Sequence, residues 1–429
     1  MLKKENMLNN DWRLMKFEDC ILQLNTGLNP RSNFSLGKGN LKYITAKNLT
    51  KYGTVDFSKS DSIDEDAKRT INKRSDIQVG DILFSSRAPI GHCYLIKEEP
   101  NYYDIGESIF SIRVDKKVVI PEYLCLYLTS NFFVKLASKH TTGSIIQEIR
   151  IGDLMGTKVI VPPLKIQKDI ADCLYRIDRK IALNDMLNDN LEQQLMLLYD
   201  YWFTQFDFPD TDGNPYQTSG GKMVWNDTLK RNIPENWKVQ SVISNCLSSI
   251  IKPGVEIFNT KTYLATADVK GTSISTGTIV DYDGRESRAN MQPSINSVWF
   301  AKMKNSIKHL YLNKEMQPII SSSILSTGFC GLQCNEISFE YIASYVSNVY
   351  FEIHKDMLAH GATQEAVNND DLAGVHIIIP EDTVLRAYHE ITQAIYAQIS
   401  KNICENQELV KLRDWLLPML MNGQATINN

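Results

Sequence analysis

The residues with the clearest binding chemistry are polar and cationic side chains placed after predicted strands and around glycines. Ser86 and Arg87 follow a predicted strand, and Arg87 could bind a guanine edge or form a structural ion pair. Lysines at strand ends could contact phosphates or be solvated, and the polar residues near Gly143 and Gly361 could belong to structural loops. The candidates for DNA binding are Lys38, Lys47, Ser86, Arg87, Thr142, Ser144, Gln147, Lys302, Lys304, Asn305, His360, Thr363 and Gln364.

The sequence contains none of the common catalytic motifs. It has no GxxxxGK[ST] phosphate loop, no glycine-rich cofactor loop that opens a helix, and no Asn/Asp-Pro-Pro-Tyr/Phe motif of an amino-methyltransferase. The seven histidines form no metal-ligand pair, and Cys330 and Cys334 have no second cysteine pair nearby. We expect no catalytic residue, cofactor or metal ion in this chain. An enzyme with an unrecognised site is one alternative.

The composition is that of a globular protein with a weak negative charge. The chain has 429 residues, of which 43% are hydrophobic and 22% charged, and its formal net charge is −4. This length allows two or three domains. With this negative charge, any binding to nucleic acid must come from local basic patches or from a complex that dilutes the unfavourable total. Because there is no apolar run of about 20 residues and no secretory signal, we expect a cytoplasmic location.

Two long stretches with a heptad repeat must position these candidates. Between residues 162 and 203, apolar or asparagine side chains recur at alternating steps of four and three, which predicts a coiled-coil helix. The pattern returns at a constant offset, which takes Asn184 to Asn402 and Asn188 to Asn406. A helix of this length extends about 60 Å, so we expect the two helices to pair. The predicted seam residues are Ile170, Leu174, Ile177, Ile181, Asn184, Asn188, Leu191, Ile395, Ile399, Asn402, Asn406 and Leu409.

The same offset also relates residues outside the helices. It takes Gly143 to Gly361 and Asp153 to Asp371, which chance similarity between two amphipathic helices would not do. We infer a tandem duplication of one unit, an α+β globular piece followed by a long helix. Within the units we predict helices at 122–138 and 340–353 and a strand at 319–321. If the long helices pack antiparallel, a pseudo-twofold axis relates the units, which suits a bipartite ligand such as duplex DNA.

Several motifs at the ends of the helices point to one family. They are PPLKIQ at 162–167, the helix with paired asparagines, WFTQFDFP at 202–209 and GGKMVWNDTLKRNIPENW at 220–237. In these motifs and in its order of segments, essentially the whole chain resembles the specificity subunits of type I restriction-modification systems. The second helix departs from the pattern, because Glu381 follows Pro380 in place of a second proline and Leu385 stands where a glutamine is expected.

The resemblance implies an α+β fold in which two similar DNA target recognition domains are separated by two long antiparallel coiled-coil helices. It also implies an internal pseudo-twofold repeat. The corresponding division is recognition domain 1 at 1–162, conserved helix 1 at 163–206, a connector at 207–236, recognition domain 2 at 237–380, conserved helix 2 at 381–423 and a tail at 424–429.

The resemblance also implies a role and partners. A subunit of this family is non-catalytic and binds a bipartite target in double-stranded DNA, one half-site for each recognition domain. Its helices hold two modification (methyltransferase) subunits, and restriction (endonuclease/translocase) subunits join the same complex. S-adenosylmethionine, ATP and Mg are then expected in the partner subunits, and no membrane is involved. The other alternative is a coiled-coil adaptor whose end domains bind proteins without DNA specificity.

Overall fold

The computed structural model describes residues 11–50, 53–130, 133–134, 148–361, 364–425 and 427. The chain divides into two compact units. The first consists of Met1–Asp178 with Lys411–Asn429, and the second is Arg179–Val410. In the described part of the chain, no helix is both long enough and apolar enough to cross a membrane.

The first unit is built on one larger and one smaller sheet. Its strands are β1 (Arg13–Lys16), β2 (Ile21–Thr26), β3 (Leu41–Ile44), β4 (Asp61–Ile63), β5 (Ile82–Ser85), β6 (Cys93–Leu95), β7 (Tyr103–Ile105), β8 (Ile109–Val114) and β9 (Lys158–Val161). The larger sheet is antiparallel with the order β2-β8-β5-β6, and the smaller sheet has the order β4-β3-β7. In the smaller sheet β3 and β7 are parallel, and β1 pairs separately with β9.

The helices of the first unit are α1 (Glu65–Ser75), α2 (Pro121–Thr129), α3 (Ile151–Met155) and the start of the long helix α4 (Leu164–Tyr199). The predicted helix at 122–138 is interrupted, because α2 stops at Thr129. Residues 133–134 are again helical, and residues 131–132 and 135–138 lie outside the described part of the chain. Ser130 leaves the helical conformation with ψ of 140°, and its hydroxyl accepts a hydrogen bond from the Phe133 amide at 3.2 Å. A capping residue inside an apolar stretch thus ends the helix early.

The second unit repeats this plan with more strands. They are β10 (Met223–Asn226), β11 (Arg231–Pro234), β12 (Lys238–Ser241), β13 (Ser248–Ile250), β14 (Lys261–Leu264), β15 (Val269–Lys270), β16 (Ser273–Ile274), β17 (Thr278–Val280), β18 (Ala289–Met291), β19 (Ser297–Ala301), β20 (His309–Leu312), β21 (Ser323–Ser326), β22 (Phe329–Cys334) and β23 (His376–Ile379). Its two four-stranded sheets have the orders β13-β22-β19-β20 and β17-β14-β21-β18.

The helices of the second unit are the end of α4, a π-helical turn at Asp200–Thr204, α5 (Gln317–Ser322), α6 (Phe339–Ser347), α7 (Val349–Met357) and the larger part of α8 (Asp382–Met421). Two predictions are wrong here. The residues 319–321 lie in helix α5, whose first turn contains Pro318, and not in a strand. The predicted helix 340–353 is interrupted at Asn348, whose side chain accepts from the Tyr350 amide at 2.9 Å and starts α7.

The duplication is visible in the sheets and in single hydrogen bonds. The order β2-β8-β5-β6 corresponds to β13-β22-β19-β20, and the parallel pair β3–β7 corresponds to the parallel pair β14–β21. Tyr123 donates to the Ile160 carbonyl at 2.9 Å, and Tyr341, its counterpart in the repeat, donates to the Ile378 carbonyl at 2.6 Å. The two units therefore contain copies of one α+β scaffold, and in the sequence a long helix follows each copy.

Candidate nucleic-acid interface

Ser86 and Arg87 directly follow β5 in the first unit. The Ser86 amide and hydroxyl both donate to the Ser108 carbonyl at 3.0 Å, and the Ser86 side chain is fully buried. Its hydroxyl therefore stabilises the junction with the turn before β8. The DNA contact of Ser86 stays a prediction, and in this structure its hydroxyl is buried and bonded to the backbone.

Arg87 is held between two carboxylates. Its Nη1 donates to Glu107 Oε1 at 2.8 Å, and Glu148 Oε1 lies 3.2 Å from its Nε. Glu107 also accepts from the Asn29 amide at 2.7 Å. The side chain of Arg87 remains 36% exposed. The structural ion pair that the sequence left open is thus present, and the guanidinium still faces solvent.

These contacts shift two pKa values in the expected directions. The hydrogen bond from Asn29, followed by that from Arg87, lowers the pKa of Glu107 below its usual value. The hydrogen bond to Glu107 raises the pKa of Arg87. Both groups are therefore charged at neutral pH.

The predicted lysines of the first unit lie in two different places. Lys47 is exposed in a 3-10 turn, Ala46–Asn48, directly after β3. The Ser108 hydroxyl accepts from the Ala46 amide at 3.0 Å, so this turn lies beside the Ser86–Arg87 segment. Lys38 lies in an exposed loop between Gly37 and Gly39, and no contact of the described residues joins it to this surface. Thr142, Ser144 and Gln147 fall outside the described residues.

In the second unit, the predicted residues after β19 meet those near Gly361. Lys304 Nζ forms an ion pair with Glu365 Oε2 at 2.8 Å, and the Lys304 amide donates to the Glu365 carbonyl at 3.0 Å. Asn305 is exposed with a positive φ of 56°, and its amide donates to Asp356 Oδ2 at 3.1 Å. Lys302 is half-buried.

His360 and Gln364 belong to the same surface. The amides and carbonyls of His360 and Ala366 exchange two hydrogen bonds of 3.1 Å, which close the intervening loop. Gln364 is exposed within this loop, and Thr363 falls outside the described residues. Gly361 has a φ of 139°, and an added Cβ would lie 2.5 Å from the Gln364 carbonyl oxygen, so the turn requires glycine.

The backbone hydrogen bonds around both surfaces are the same. The Ser86 amide donates to Ser108 O at 3.0 Å, and the Lys302 amide donates to Gly328 O at 2.9 Å. On the other side, the Ile149 amide donates to Ser86 O at 2.9 Å, and the Val367 amide donates to Lys302 O at 3.0 Å. The next residues then pair across the same gap, Arg87 with Glu148 in one unit and Met303 with Ala366 in the other.

Met303 is a residue that sequence reasoning missed. The sequence placed the lysines and Asn305 opposite Arg87, whereas the hydrogen bonds make Met303 its counterpart. Glu148 and Ala366 are separated by the general offset of the repeat, but Arg87 and Met303 lie slightly closer together in the sequence. A small difference in loop length therefore hid this correspondence.

A buried charged cluster supports the second surface from behind. Glu352 accepts from Lys355 Nζ at 2.6 Å and lies 2.8 Å from His309 Nε2, and Lys355 Nζ also donates to the Ala301 carbonyl at the end of β19. Burial raises the pKa of Glu352, but the hydrogen bonds from His309 and Lys355 outweigh it and lower the pKa below its usual value. This cluster positions the residue before Lys302.

The predicted seam residues face inward on both long helices. Ile170, Leu174 and Ile177 are buried within the first unit, as are Ile399 and Asn402 within the second. Ile181, Leu191, Ile395, Asn406 and Leu409 are half-buried. Asn402 Nδ2 donates to Asn188 Oδ1 at 2.7 Å, and Asn184 Nδ2 donates to Asn406 Oδ1 at 2.9 Å. Since 184 meets 406 and 188 meets 402, the helices run antiparallel in this segment.

The described residues offer no metal site. No group of three or more His, Cys, Asp or Glu side chains among them is arranged to hold an ion. Cys330 and Cys334 are both buried in β22, and burial raises the pKa of the Cys330 thiol to about 12. Both thiols are therefore protonated packing residues.

Comparison with known proteins identifies the family. Residues 9–193 match the family described as "Type I restriction modification DNA specificity domain". The specificity subunit of the type I restriction enzyme MjaIX from Methanocaldococcus jannaschii is 24% identical, over 97% of this chain and 94% of the relative. Residues 9–193 thus match the type I specificity domain, and nearly the whole chain is similar to a type I specificity subunit, a non-catalytic kind of subunit.

Two further comparisons give similarity to the same class of subunit. The specificity subunit of the type I restriction enzyme HindI from Haemophilus influenzae is 22% identical, over 83% of this chain and 88% of the relative. The crystal structure of a type I S subunit from M. genitalium covers 98% of this chain and 99% of that chain, with a TM-score of 0.50 and 14% identity. The latter similarity concerns the fold.

Proposed function

We infer that this specificity subunit recognises a bipartite sequence in double-stranded DNA, one half-site for each unit. The observation that carries this inference is the repeated surface at the exits of β5 and β19. The same backbone hydrogen bonds hold both surfaces, yet they present Arg87 in one unit and Met303 in the other. One scaffold with two different sets of side chains suits two different half-sites.

The long helices are the proposed scaffold for partner subunits. Leu183, Met186 and Leu197 lie on α4 outside the seam and are 51%, 67% and 71% exposed. Exposed apolar side chains along one helix are typical of a protein interface. We propose that two modification subunits bind the helices and that restriction subunits join the same complex.

The cofactors of the reaction belong to those partners in this proposal. S-adenosylmethionine would be bound by the modification subunits, and ATP and Mg by the restriction subunits. The specificity subunit contributes sequence recognition and assembly. With a net charge of −4, this chain alone attracts DNA weakly, so the assembled complex is the form that binds.

Methylation mapping in cells tests the proposal. The chain would be co-expressed with a candidate modification subunit from the same organism, and methylated adenines would be mapped on genomic DNA by single-molecule sequencing. We expect one bipartite motif with a fixed spacer, and loss of that motif when this chain is omitted. A purified complex that forms but methylates no defined motif would contradict sequence recognition.

A complementary measurement separates recognition from assembly. Binding of the purified complex to a duplex with the mapped motif would be compared with binding to a duplex in which one half-site is scrambled. We expect loss of specific binding with either half-site scrambled. Equal binding to all three duplexes would contradict a bipartite target, even if the subunits assemble.

A further inference from the structure

Arg87 is the second residue after β5, and Met303 is the second residue after β19. The two residues occupy equivalent positions in the two units, and we call this the strand-exit position. The backbone of each is fixed by hydrogen bonds of the preceding residue on both sides. The Arg87 side chain is 36% exposed, and Met303 is exposed. The two side chains therefore leave the scaffold at the same point, and both reach solvent.

The neighbours of the strand-exit position change together with it. Arg87 lies between Glu107 and Glu148. Glu148 corresponds to Ala366, because each pairs with the strand-exit residue of its unit. The carbonyls of Ser108 and Gly328 accept equivalent hydrogen bonds. The residues before them, Glu107 and Thr327, therefore correspond to each other. The charged set Arg–Glu–Glu in the first unit is thus replaced by the neutral set Met–Ala–Thr in the second.

The scaffold requires neither set of side chains. The four backbone hydrogen bonds that define the position are each 2.9 Å or 3.0 Å long, whichever side chains surround them. The backbone hydrogen bonds that support this position are thus the same in both units, whereas the cluster of side chains available for recognition differs. This difference distinguishes the cluster from buried groups such as Ser86, which belong to the support.

We propose that the strand-exit position reads one base pair in each half-site: Arg87, with Glu107 and Glu148, a G·C pair, and Met303, with Ala366 and Thr327, an A·T pair. This inference rests on the proposed function and deepens it. It names the residues that make the two half-sites differ and the class of base pair that each would take.

The chemistry of the first cluster matches a G·C pair in the major groove. A guanidinium has five N–H donors, so it can keep contact with both carboxylates and still donate to guanine O6 and N7. A glutamate beside it can accept from the cytosine N4 amine. One guanidinium between two carboxylates has a net negative charge, which disfavours a phosphate and favours a base edge. The carboxylates also hold the guanidinium in place before DNA binds.

The chemistry of the second cluster matches an A·T pair. Met303 presents an exposed thioether chain next to Ala366, and apolar side chains discriminate through contact with the thymine methyl group. Lys304 follows directly and is anchored by Glu365, so a cation that can contact the backbone lies beside the apolar reader. Contact with a thymine methyl group would explain why the apolar side chain of Met303 is exposed among polar residues.

Exchanging the two residues tests the proposal in the assembled enzyme. Arg87→Met and Met303→Arg would each be co-expressed with the modification subunits, and the methylated motif would be mapped as for the parent. In Arg87→Met we expect preference at one G·C position of one half-site to fall roughly tenfold or more, with the other half-site unchanged. In Met303→Arg we expect the change at one A·T position of the other half-site.

Two further variants keep the test informative. The triple variant Arg87→Met, Glu107→Thr, Glu148→Ala installs the second set in the first unit, and we expect its G·C position to become A·T. Arg87→Lys keeps a cation for the carboxylates but loses the planar fork, so it should relax the same position even if Arg87→Met assembles poorly. Lys59→Met is the matched control, because Lys59 is 79% exposed and its ion pair is a local one with Asp56, across an i,i+3 step. Its motif should equal that of the parent.

The outcomes separate this inference from the proposed function. Relaxation at one position, in a different half-site for each exchange, supports the proposal. A parental motif that Arg87→Met, Arg87→Lys and Met303→Arg all leave unaltered would overturn the inference and leave bipartite recognition intact. Equal loss of preference at every position would also overturn it, because that result indicates a phosphate or structural contact. A parental complex without any motif would overturn both.

Discussion

At the scale of single residues, burial separates the side chains that support the fold from those that can meet a ligand. Ser86 and Arg87 are adjacent in sequence and both polar, yet Ser86 is fully buried and the Arg87 side chain is 36% exposed. Sequence alone placed both at the interface, because it shows residue type and not which hydroxyl has a backbone partner. The same limit hid Met303, whose type carries no binding signal without its neighbours.

Asp104 is a buried carboxylate whose charge should reduce stability at neutral pH. It is fully buried in β7, and its Oδ1 accepts from the Ser75 hydroxyl at 2.6 Å and from the Ile105 amide at 2.8 Å. Its Oδ2 has no hydrogen-bond partner among the described residues. Burial raises the pKa of Asp104 to about 6, against about 3.9 in an unfolded chain. The folded state therefore loses stability as pH rises from about 4 to about 6, and no further above that.

Asp104→Asn should remove this penalty, because the amide oxygen can keep both accepted hydrogen bonds and carries no charge. We expect the free energy of unfolding of the first unit to rise by about 1 to 2 kcal/mol at pH 7 and the gain to shrink towards pH 4. Urea unfolding followed by hydrogen exchange at pH 5 and pH 7 measures it.

The control for Asp104→Asn is Asp66→Asn on α1, where the carboxylate is 89% exposed and its ion pair is with the exposed Arg69. That change should alter the free energy of unfolding by less than about 0.5 kcal/mol at either pH. A destabilised Asp104→Asn whose deficit does not vary with pH would show that the carboxylate is needed for its contacts and not penalised for its charge.

At the scale of elements, the long heptad repeat made the two long helices predictable. Capping residues made the ends of the shorter helices harder to predict. The heptad over α4 and α8 extends for many turns, so single exceptions do not obscure it. The helices α2 and α6 end just before Ser130 and Asn348, which occupy equivalent places in the repeat. Each of these side chains accepts a hydrogen bond from a backbone amide two or three residues later. These polar residues stand inside apolar stretches, where propensity alone favours continuing the helix.

The strands were harder to predict for a different reason. Most have three to five residues, and their pairing depends on partners far along the chain, such as β3 with β7. The misassigned residues 319–321 are β-branched or small, as strands often are, but Pro318 starts a helical turn there. Such short segments take their structure from tertiary contacts more than from their own residues.

The asparagines of α4 and α8 provide a prediction about coupling between the helices. Asn402 donates to Asn188 at 2.7 Å and accepts from Gln398 at 2.8 Å, and both asparagines are buried. Asn188→Leu or Asn402→Leu alone should cost about 1 to 3 kcal/mol, because each leaves a buried amide without its partner. The double variant should cost clearly less than the sum, since two leucines can pack in a seam.

A double-mutant cycle from thermal or urea unfolding measures this coupling. Asn190→Leu is the matched control, because Asn190 is exposed on the same helix and its oxygen accepts from Gln194, one turn away. Its effect should be small and should add to that of Asn402→Leu without coupling. Strict additivity of Asn188→Leu and Asn402→Leu would refute a direct pairing of the two amides.

At the scale of the whole molecule, the two ends of the described chain complete the same unit. Lys411–Asn429 belongs to the first unit together with Met1–Asp178. Leu420 and Met421 are buried against its core, Arg413 forms an ion pair with Asp178 at 3.1 Å, and the Trp12 ring lies against Gly423. The tandem repeat in the sequence suggested two successive modules. The fold instead closes the first module with the end of the second helix, which no local pattern could indicate.

A truncation tests this closure. A chain that stops after Val410 loses the buried side chains of Leu420 and Met421, each worth about 1.5 to 3 kcal/mol, and uncovers Trp12. We expect the strands of the first unit to exchange amide hydrogens much faster and its unfolding midpoint to fall, while the strands of the second unit keep their protection. Leu420→Ala should reproduce part of this loss with the chain otherwise intact, whereas Leu412→Ala, at a 43% exposed position of the same helix, should not. If the second unit instead lost its amide protection first, the C-terminal segment would stabilise the second unit and not the first. That result would contradict the division of the chain at residues 178 and 411.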